Sequence, residues 1–219
     1  MKWAIVGAGA QGRVTLDILR AANAEDEFVF LEDNPKLTGR RVCQTEVVAR
    51  AVFLANCDPR ESCAIIAIGH NERRLEVAEE LARVGVRFGN AIHPSATIMP
   101  SAMLGVGIML CPGAIVGTAA TVGDHALINS NAVVEHDCAI GAGASLSPGA
   151  HMAGRVRIGC AAFVGTGASL NPRITIGRQA IIGTGAVVTT DVRPGMLAYG
   201  APAREVRPVD AERDWGRLL

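Results

Sequence analysis

Cut every six residues from Ile92 to Arg193, the chain divides into 17 hexads with nothing inserted and nothing left over. The first position of every hexad is Ile, Leu, Val or Met, and the fifth is Ala, Cys, Ile or Val. An α-helix cannot hold this beat, because 3.6 residues per turn do not divide six. Short strands joined by tight turns can, if they stack as a three-sided column with one aliphatic residue per hexad pointing inward. At three hexads per coil, the repeat predicts a β-helix of roughly 5.7 coils, roughly 25–30 Å tall. Glycine fills the second hexad position at 105, 117, 123, 141, 159, 165, 177 and 183, where a turn is expected to need backbone freedom. Aromatics make up 4% of the chain against 25 glycines, which suits narrow, repetitive packing layers.

Residues 1–90 follow another pattern. Apolar runs at 3–6, 28–31 and 64–68 read as strands, and amphipathic stretches over 14–22 and 71–84 read as helices. Strands alternating with helices imply a parallel sheet of half-Rossmann size. The expected organisation is an α/β half-Rossmann domain over 1–90, a β-helix over 91–206 and a tail over 207–219. Gly7, Gly9 and Gly12 form G-x-G-x-x-G between the first strand and the first helix. Such a loop lets backbone approach a phosphate at a helix N-terminus, and without a ligand it is simply a tight turn. About 90 residues are short for a full dinucleotide fold, so an NAD-dependent enzyme is a weaker reading.

Basic and acidic residues balance at 21 each, and no basic-aromatic patch appears, so nucleic acid is not an expected partner. The six cysteines lack C-x-x-C spacing and sit among apolar neighbours, reading as buried free thiols of a reducing cytoplasm. The apolar run before Gly7 is too short for a signal peptide, and no stretch is long enough to span a membrane. The expected location is cytoplasmic.

The repeat resembles the left-handed β-helix of the hexapeptide acyltransferases. The segment Tyr199-Gly200-Ala201-Pro202-Ala203-Arg204 resembles their terminal G-x-P-A-[KR] stretch. Over residues 3–206 the chain is similar to the sugar acetyltransferases of the bacillosamine, perosamine and sialic acid type. Four landmarks carry that likeness: Gly7 to Gly12, Glu32-Asp33, Ala67 to Glu72, and Asn129 through Glu135-His136-Asp137.

The resemblance implies an enzyme that moves an acetyl group from acetyl-CoA to the amine of a UDP- or GDP-linked 4-amino-4,6-dideoxy sugar. O-acetylation of a sialic acid or related sugar is the alternative, and a trimeric nucleotide-binding scaffold is the non-enzymatic one. His136 is the implied general base, since an imidazole titrates near neutrality. Asp137 would orient it, as a carboxylate does in a triad. Gly9, Ala10, Gln11, Gly12, Glu32, Asp33, Gly69 and Asn71 fall on the implied nucleotide-sugar site. Glu32 and Asp33 equally suit a solvated turn, and Asn71 a helix cap. Ser145, Gly154, Thr166, Gly183, Gly185, Pro202 and Arg204 fall along the implied acetyl-CoA groove between subunits of a homotrimer. Ser145 stands where some relatives carry a second histidine, leaving the oxyanion donor open. Cys138, at an inward hexad position, reads as packing. His93 reads as structural, His125 as a solvated turn and His151 as facing a neighbouring subunit. Their spacing from His136 does not suit a three-histidine zinc site, so no metal is expected.

Overall fold

The computed structural model describes residues 1–23, 25–56, 62–210 and 214–215. The N-terminal domain runs β1 (Lys2–Val6), α1 (Ala10–Ala22), β2 (Glu27–Leu31), β3 (Arg41–Val42), β4 (Thr45–Val48), α2 (Arg50–Asn56), β5 (Ser62–Ile66) and α3 (Asn71–Arg83). Its sheet has the order β3-β4-β2-β1-β5, and only the β3–β4 pair is antiparallel. The three expected strands and two helices are present. The short β3, β4 and α2 were not expected, because elements of two to seven residues are too short to carry a readable period.

Central β1 explains the parallel sheet. Ala4, Ile5 and Val6 are buried on both faces, with Ile5 level with Phe30 and Ile65. A strand covered on both sides reads as continuous apolar sequence, not alternation. Leu16, Ile18 and Leu19 of α1 pack on one face of the sheet, while Val77, Ala78 and Leu81 of α3 pack on the other.

Seventeen two-residue strands follow, one every six residues, from β6 (Ala91–Ile92) to β22 (Val187–Val188). Each ends on the first hexad position, and strands 18 residues apart pair in parallel register. The result is three sheets around one core, a left-handed parallel β-helix. From Leu110 to Val188, every first-position side chain is buried. Full burial of one such aliphatic side chain contributes about 1.5–3 kcal/mol. The column closes with an antiparallel hairpin, β23 (Met196–Gly200) and β24 (Ala203–Pro208). The β-helical domain therefore keeps its sheet to Pro208.

The second-position glycines serve a different purpose from the one expected. They do not adopt positive φ. From 107 to 185 that conformation belongs to the fourth position of every hexad, including non-glycines such as His125, Asn131, Asp137 and Arg155. The second-position glycines allow one coil to lie against the next. A Cβ on Gly141 would come 2.5 Å from Cys160 N, and one on Gly159 would come 2.4 Å from Arg178 N.

The outward residues of each strand distinguish the three faces. One face presents Ala91, Met109, Leu127, Ser145, Phe163 and Ile181, of which all but the half-buried Phe163 are buried. This face lies under the N-terminal domain: the Thr15 hydroxyl of α1 meets Met109 Sδ at 3.1 Å, and Gln11 Nε2 meets it at 3.6 Å. The other two faces, with Thr97, Ile115, Val133, His151, Ser169 and Val187 on one and Met103, Thr121, Ala139, Arg157 and Thr175 on the other, are exposed or half-buried.

The cysteines divide. Cys63, Cys111 and Cys138 are buried, as expected, but Cys43 and Cys160 are exposed. Cys43 lies in the β3–β4 turn and Cys160 at a β-helix corner, where side chains point outward. Cys57 lies outside the described residues. Burial pushes the Cys63 and Cys111 thiols up to about 11. Among the described residues, no helix is long and apolar enough to cross a membrane.

Candidate active site

His136 follows β13 (Val133–Val134) at the corner where the column turns toward β14 (Ala139–Ile140). This corner joins the two faces that the N-terminal domain leaves open. The flanking core residues Val134 and Cys138 point inward and are buried, which forces His136 and Asp137 outward. Their side chains are 52% and 47% exposed, open enough to meet a ligand. Asp137 takes φ +58°, and its N–H donates to Thr118 O at 2.9 Å, which fixes its backbone. Its Oδ2 then lies 2.8 Å from His136 Nδ1. The hydrogen bond to His136 holds the Asp137 carboxyl below the usual range, with help from Arg155, whose Nε is 3.5 Å from the same oxygen.

The imidazole lies over the next coil. A Cβ on Gly154 would come 2.4 Å from His136 Nε2, so only glycine leaves the ring its place. With Nδ1–H donating to Asp137, Nε2 carries the lone pair, which is the arrangement of a general base.

A second group of expected residues gathers at the carboxyl edge of the N-terminal sheet. Gly7 has φ +104°, and a Cβ on Gly12 would come 2.0 Å from Gly7 O, so the turn itself requires both. Gly9 is different. It has ordinary φ, and nothing lies within 4 Å of where its Cβ would be, leaving open space at the N-terminus of α1. Ala10 opens that helix. Glu32 lies beside the loop, its carboxylate accepting from Ala8 N at 3.3 Å and from Asp33 N at 3.0 Å. The carboxylate of Asp33 is held by Arg50, with Nε at 2.5 Å. Gln11 turns from the loop toward Met109.

Asn71 and Ser145 do not join either group. They meet in the seam between the domains, both buried, with Ser145 Oγ donating to Asn71 Oδ1 at 2.6 Å. Asn71 Nδ2 donates to Ala161 O and Ala162 O at 3.1 and 2.9 Å. This corrects the expectation that Asn71 faces the nucleotide and Ser145 the CoA groove: their polar atoms are engaged inside the protein.

The centre of the seam is Arg74, which sequence reasoning missed. It is fully buried, and no carboxylate contacts it among the described residues. Nε donates to His125 O at 2.8 Å, Nη1 to Ile68 O at 2.7 Å and Gly69 O at 3.2 Å. Nη2 reaches Gly143 O and Asn71 Oδ1 at 2.8 Å and Ser145 Oγ at 3.0 Å. Burial pulls its pKa down to about 10, which leaves it a cation at neutral pH. A signal did exist: Asn71 and Arg74 continue the buried stripe of Val77, Ala78 and Leu81 along α3.

His125 is also in the seam, not in a solvated turn. It is 7% exposed, its ring meets Phe88 edge-on at 4.7 Å, and its Nδ1 has no hydrogen-bond partner among the described residues. Burial lowers its pKa. His93 Nδ1 pairs with Ser95 Oγ at 2.7 Å, and His151 is exposed on an open face. His125, His136 and His151 therefore do not converge, and among the described residues no group of three or more His, Cys, Asp or Glu is placed to hold a metal.

The remaining expected residues lie toward the end of the column. Thr166 and Gly185 are exposed and linked, Gly185 N donating to Thr166 O at 2.8 Å. Gly183 lies beneath Tyr199, where a Cβ would come within 2.7 Å of Tyr199 Cβ. Pro202 forms the turn of the exit hairpin, and Arg204 is exposed beside it. Arg207 pairs with Asp214, and Trp215 packs on His70 with ring centroids 4.4 Å apart and on Phe163 at 5.6 Å. Burial lowers the pKa of His70.

Two family models match: "PglD N-terminal domain" over residues 2–81 and "Bacterial transferase hexapeptide (six repeats)" over residues 119–154. The second span includes His136 and Gly154. The acetyltransferase domain of PglB from Neisseria gonorrhoeae FA1090, solved in complex with acetyl coenzyme A, is 34% identical. That match covers 94% of this chain and 98% of that one, with a TM-score of 0.89. PerB from Caulobacter crescentus, solved with CoA and GDP-perosamine, is also 34% identical, over 94% of this chain and 97% of that one, with a TM-score of 0.87. The UDP-N-acetylbacillosamine N-acetyltransferase of Bacillus subtilis (strain 168) is 36% identical over 105 residues. That alignment spans about half of each chain, 48% of both.

Proposed function

The chain belongs to the acetyl-CoA-dependent amino-sugar N-acetyltransferases with a PglD-type N-terminal domain and a hexapeptide repeat, and from that premise we propose that it acetylates the amine of a nucleotide-linked amino sugar. The observation that carries the reading is the His136–Asp137 pair, 2.8 Å apart, exposed on an open edge with Nε2 lying over Gly154. The neutral amine attacks the thioester carbonyl, and Nε2 takes its proton. Asp137 keeps Nδ1 protonated and stabilises the imidazolium as it forms. The CoA thiolate leaves, so no covalent enzyme intermediate is needed. Gly154 N–H, which makes no hydrogen bond among the described residues, is assigned to the oxyanion. Ser145 has no part in that role, because its hydroxyl is engaged in the seam.

The nucleotide is assigned to the open space over Gly9, at the N-terminus of α1 beside Glu32. Helix N-termini attract phosphate, and a carboxylate suits a ribose or base. The N-terminal domain covers one face of the column, while His136 occupies the opposite edge. A homotrimer is therefore proposed, in which the acceptor held by one subunit meets the His136 edge of its neighbour, with acetyl-CoA in the groove between columns past Thr166 and Gly185. The acceptor class is a UDP- or GDP-linked 4-amino-4,6-dideoxy sugar. The test is thiol release from acetyl-CoA against a panel of such sugars, with molecular mass in solution measured in parallel. Turnover of at least one sugar by a trimer is expected; no release with any sugar, or an active monomer, sinks the reading.

A further inference from the structure

The edge that carries His136 also carries a row of charges that general-base chemistry does not use. Asp137, Arg155 and Arg173 hold the same hexad position in three successive coils, at φ +58°, +64° and +65°. Arg155 N donates to His136 O at 2.9 Å and Arg173 N to Gly154 O at 3.1 Å, so the coils stack in register. The two arginines are therefore one coil apart, about 4.8 Å along the axis. The row ends at Asp191, whose Oδ1 accepts from Thr175 N at 2.7 Å.

As structure alone, this pair of arginines is unfavourable. Like charges stacked in register at the corner turns of adjacent coils repel, and a long side chain at positive φ carries its own local cost. Both are exposed, so no core packing offsets this. Arg155 is only loosely paired, 3.5 Å from Asp137, and Arg173 has no ion-pair partner among the described residues. A diphosphate between two guanidinium groups reverses the balance, because planar, charge-assisted contacts to phosphate oxygens are the strong ones.

We propose that Arg155 and Arg173 form a clamp for the diphosphate of the substrate that extends from His136 along the column. The proposal rests on the acetyltransferase reading, in which acetyl-CoA and the nucleotide sugar each carry a diphosphate. The clamp lies one and two coils from the base in the direction of the exit hairpin, on the edge away from the face where Gln11 of the glycine loop meets Met109.

The test compares acetyl-CoA and acetyl-dephospho-CoA, which keep the diphosphate, with acetyl-pantetheine, which presents the same thioester without the diphosphate and adenosine. For Arg173→Gln, for Arg155→Gln and for both together, the ratio of kcat/KM for acetyl-CoA over acetyl-pantetheine is expected to fall, by roughly tenfold for each arginine. Arg173 touches neither His136 nor Asp137, so its single variant is the clean arm. A rise in KM for the nucleotide sugar, with the donor ratio unchanged, assigns the clamp to the acceptor's diphosphate. A donor ratio and an acceptor KM that both stay at wild-type values overturn it. Calorimetric titration of CoA and of pantetheine into wild type and double variant reads the clamp without turnover. If wild type binds CoA but acetylates nothing, the acetyltransferase reading fails alone; if CoA binds both proteins equally and the acceptor KM is also unchanged, the clamp fails alone.

Discussion

The seam around Arg74 and the edge around His136 use similar parts in opposite surroundings. Each joins an arginine, a histidine and a polar oxygen. In the seam the guanidinium is buried and held by six acceptors, four of them backbone carbonyls. On the edge, Arg155 touches one carboxylate at 3.5 Å, and Nε2 of His136 has no protein partner among the described residues. A group whose hydrogen-bonding capacity is used up holds structure. A group with capacity left over, in reach of solvent, can do chemistry.

The largest expected effect tests the edge. His136→Asn should lower kcat by roughly 10²–10⁴-fold while leaving the thermal midpoint where it was. Activity close to wild type would make the edge merely decorative. The seam comes next. Arg74→Met strands several buried acceptors, each costing about 1–3 kcal/mol, so urea denaturation should show a loss of at least about 3 kcal/mol. A loss below about 1 kcal/mol would mean that water enters the seam and replaces the guanidinium.

Gly154→Ala sharpens the contrast, because it acts on the edge through sterics alone. Its Cβ would displace the imidazole, and a misplacement of about 1 Å can cost up to about 100-fold. We expect kcat to fall roughly tenfold or more, with the KM values changing less. The smallest effect belongs to the buried ring of His125 in the seam. The folded-state pKa of His125 and of His70 lies below its ordinary value, because burial disfavours the charged ring. Below about pH 6.5, the unfolded chain binds protons that the folded chain refuses. Stability should therefore be level above that pH and decline as pH falls through it. The slope should stay below the one-proton limit of about 1.4 kcal/mol per pH unit for each group. His125→Asn should flatten part of it in urea titrations between pH 7.5 and 5; an unchanged slope would clear His125 of any share.

Much of this was legible beforehand. Position in the hexad alone separated inward Val134 and Cys138 from outward His136 and Asp137. The glycine loop, the parallel sheet and both long helices could be read from short apolar runs. Asn71, Ser145 and His125 were misread, because their surroundings come from residues 37 to 91 positions away, such as Phe88 for His125 and Ala162 for Asn71. Arg74 was missed because charge masked its place on the buried stripe of α3. The second-position glycines were given the wrong reason, because contact between coils depends on a residue 16 to 19 positions on, not on the local turn.

The sequence by itself determined the column: where each strand falls and which side chain points inward. A six-residue repeat is local information, and each coil needs only its neighbours to realise it. Tertiary structure alone decided which of the three faces is covered, which histidine is buried and which is open. The covered face differs from the others through its outward residues at every third hexad, and only docking against α1 and α3 converts that difference into burial.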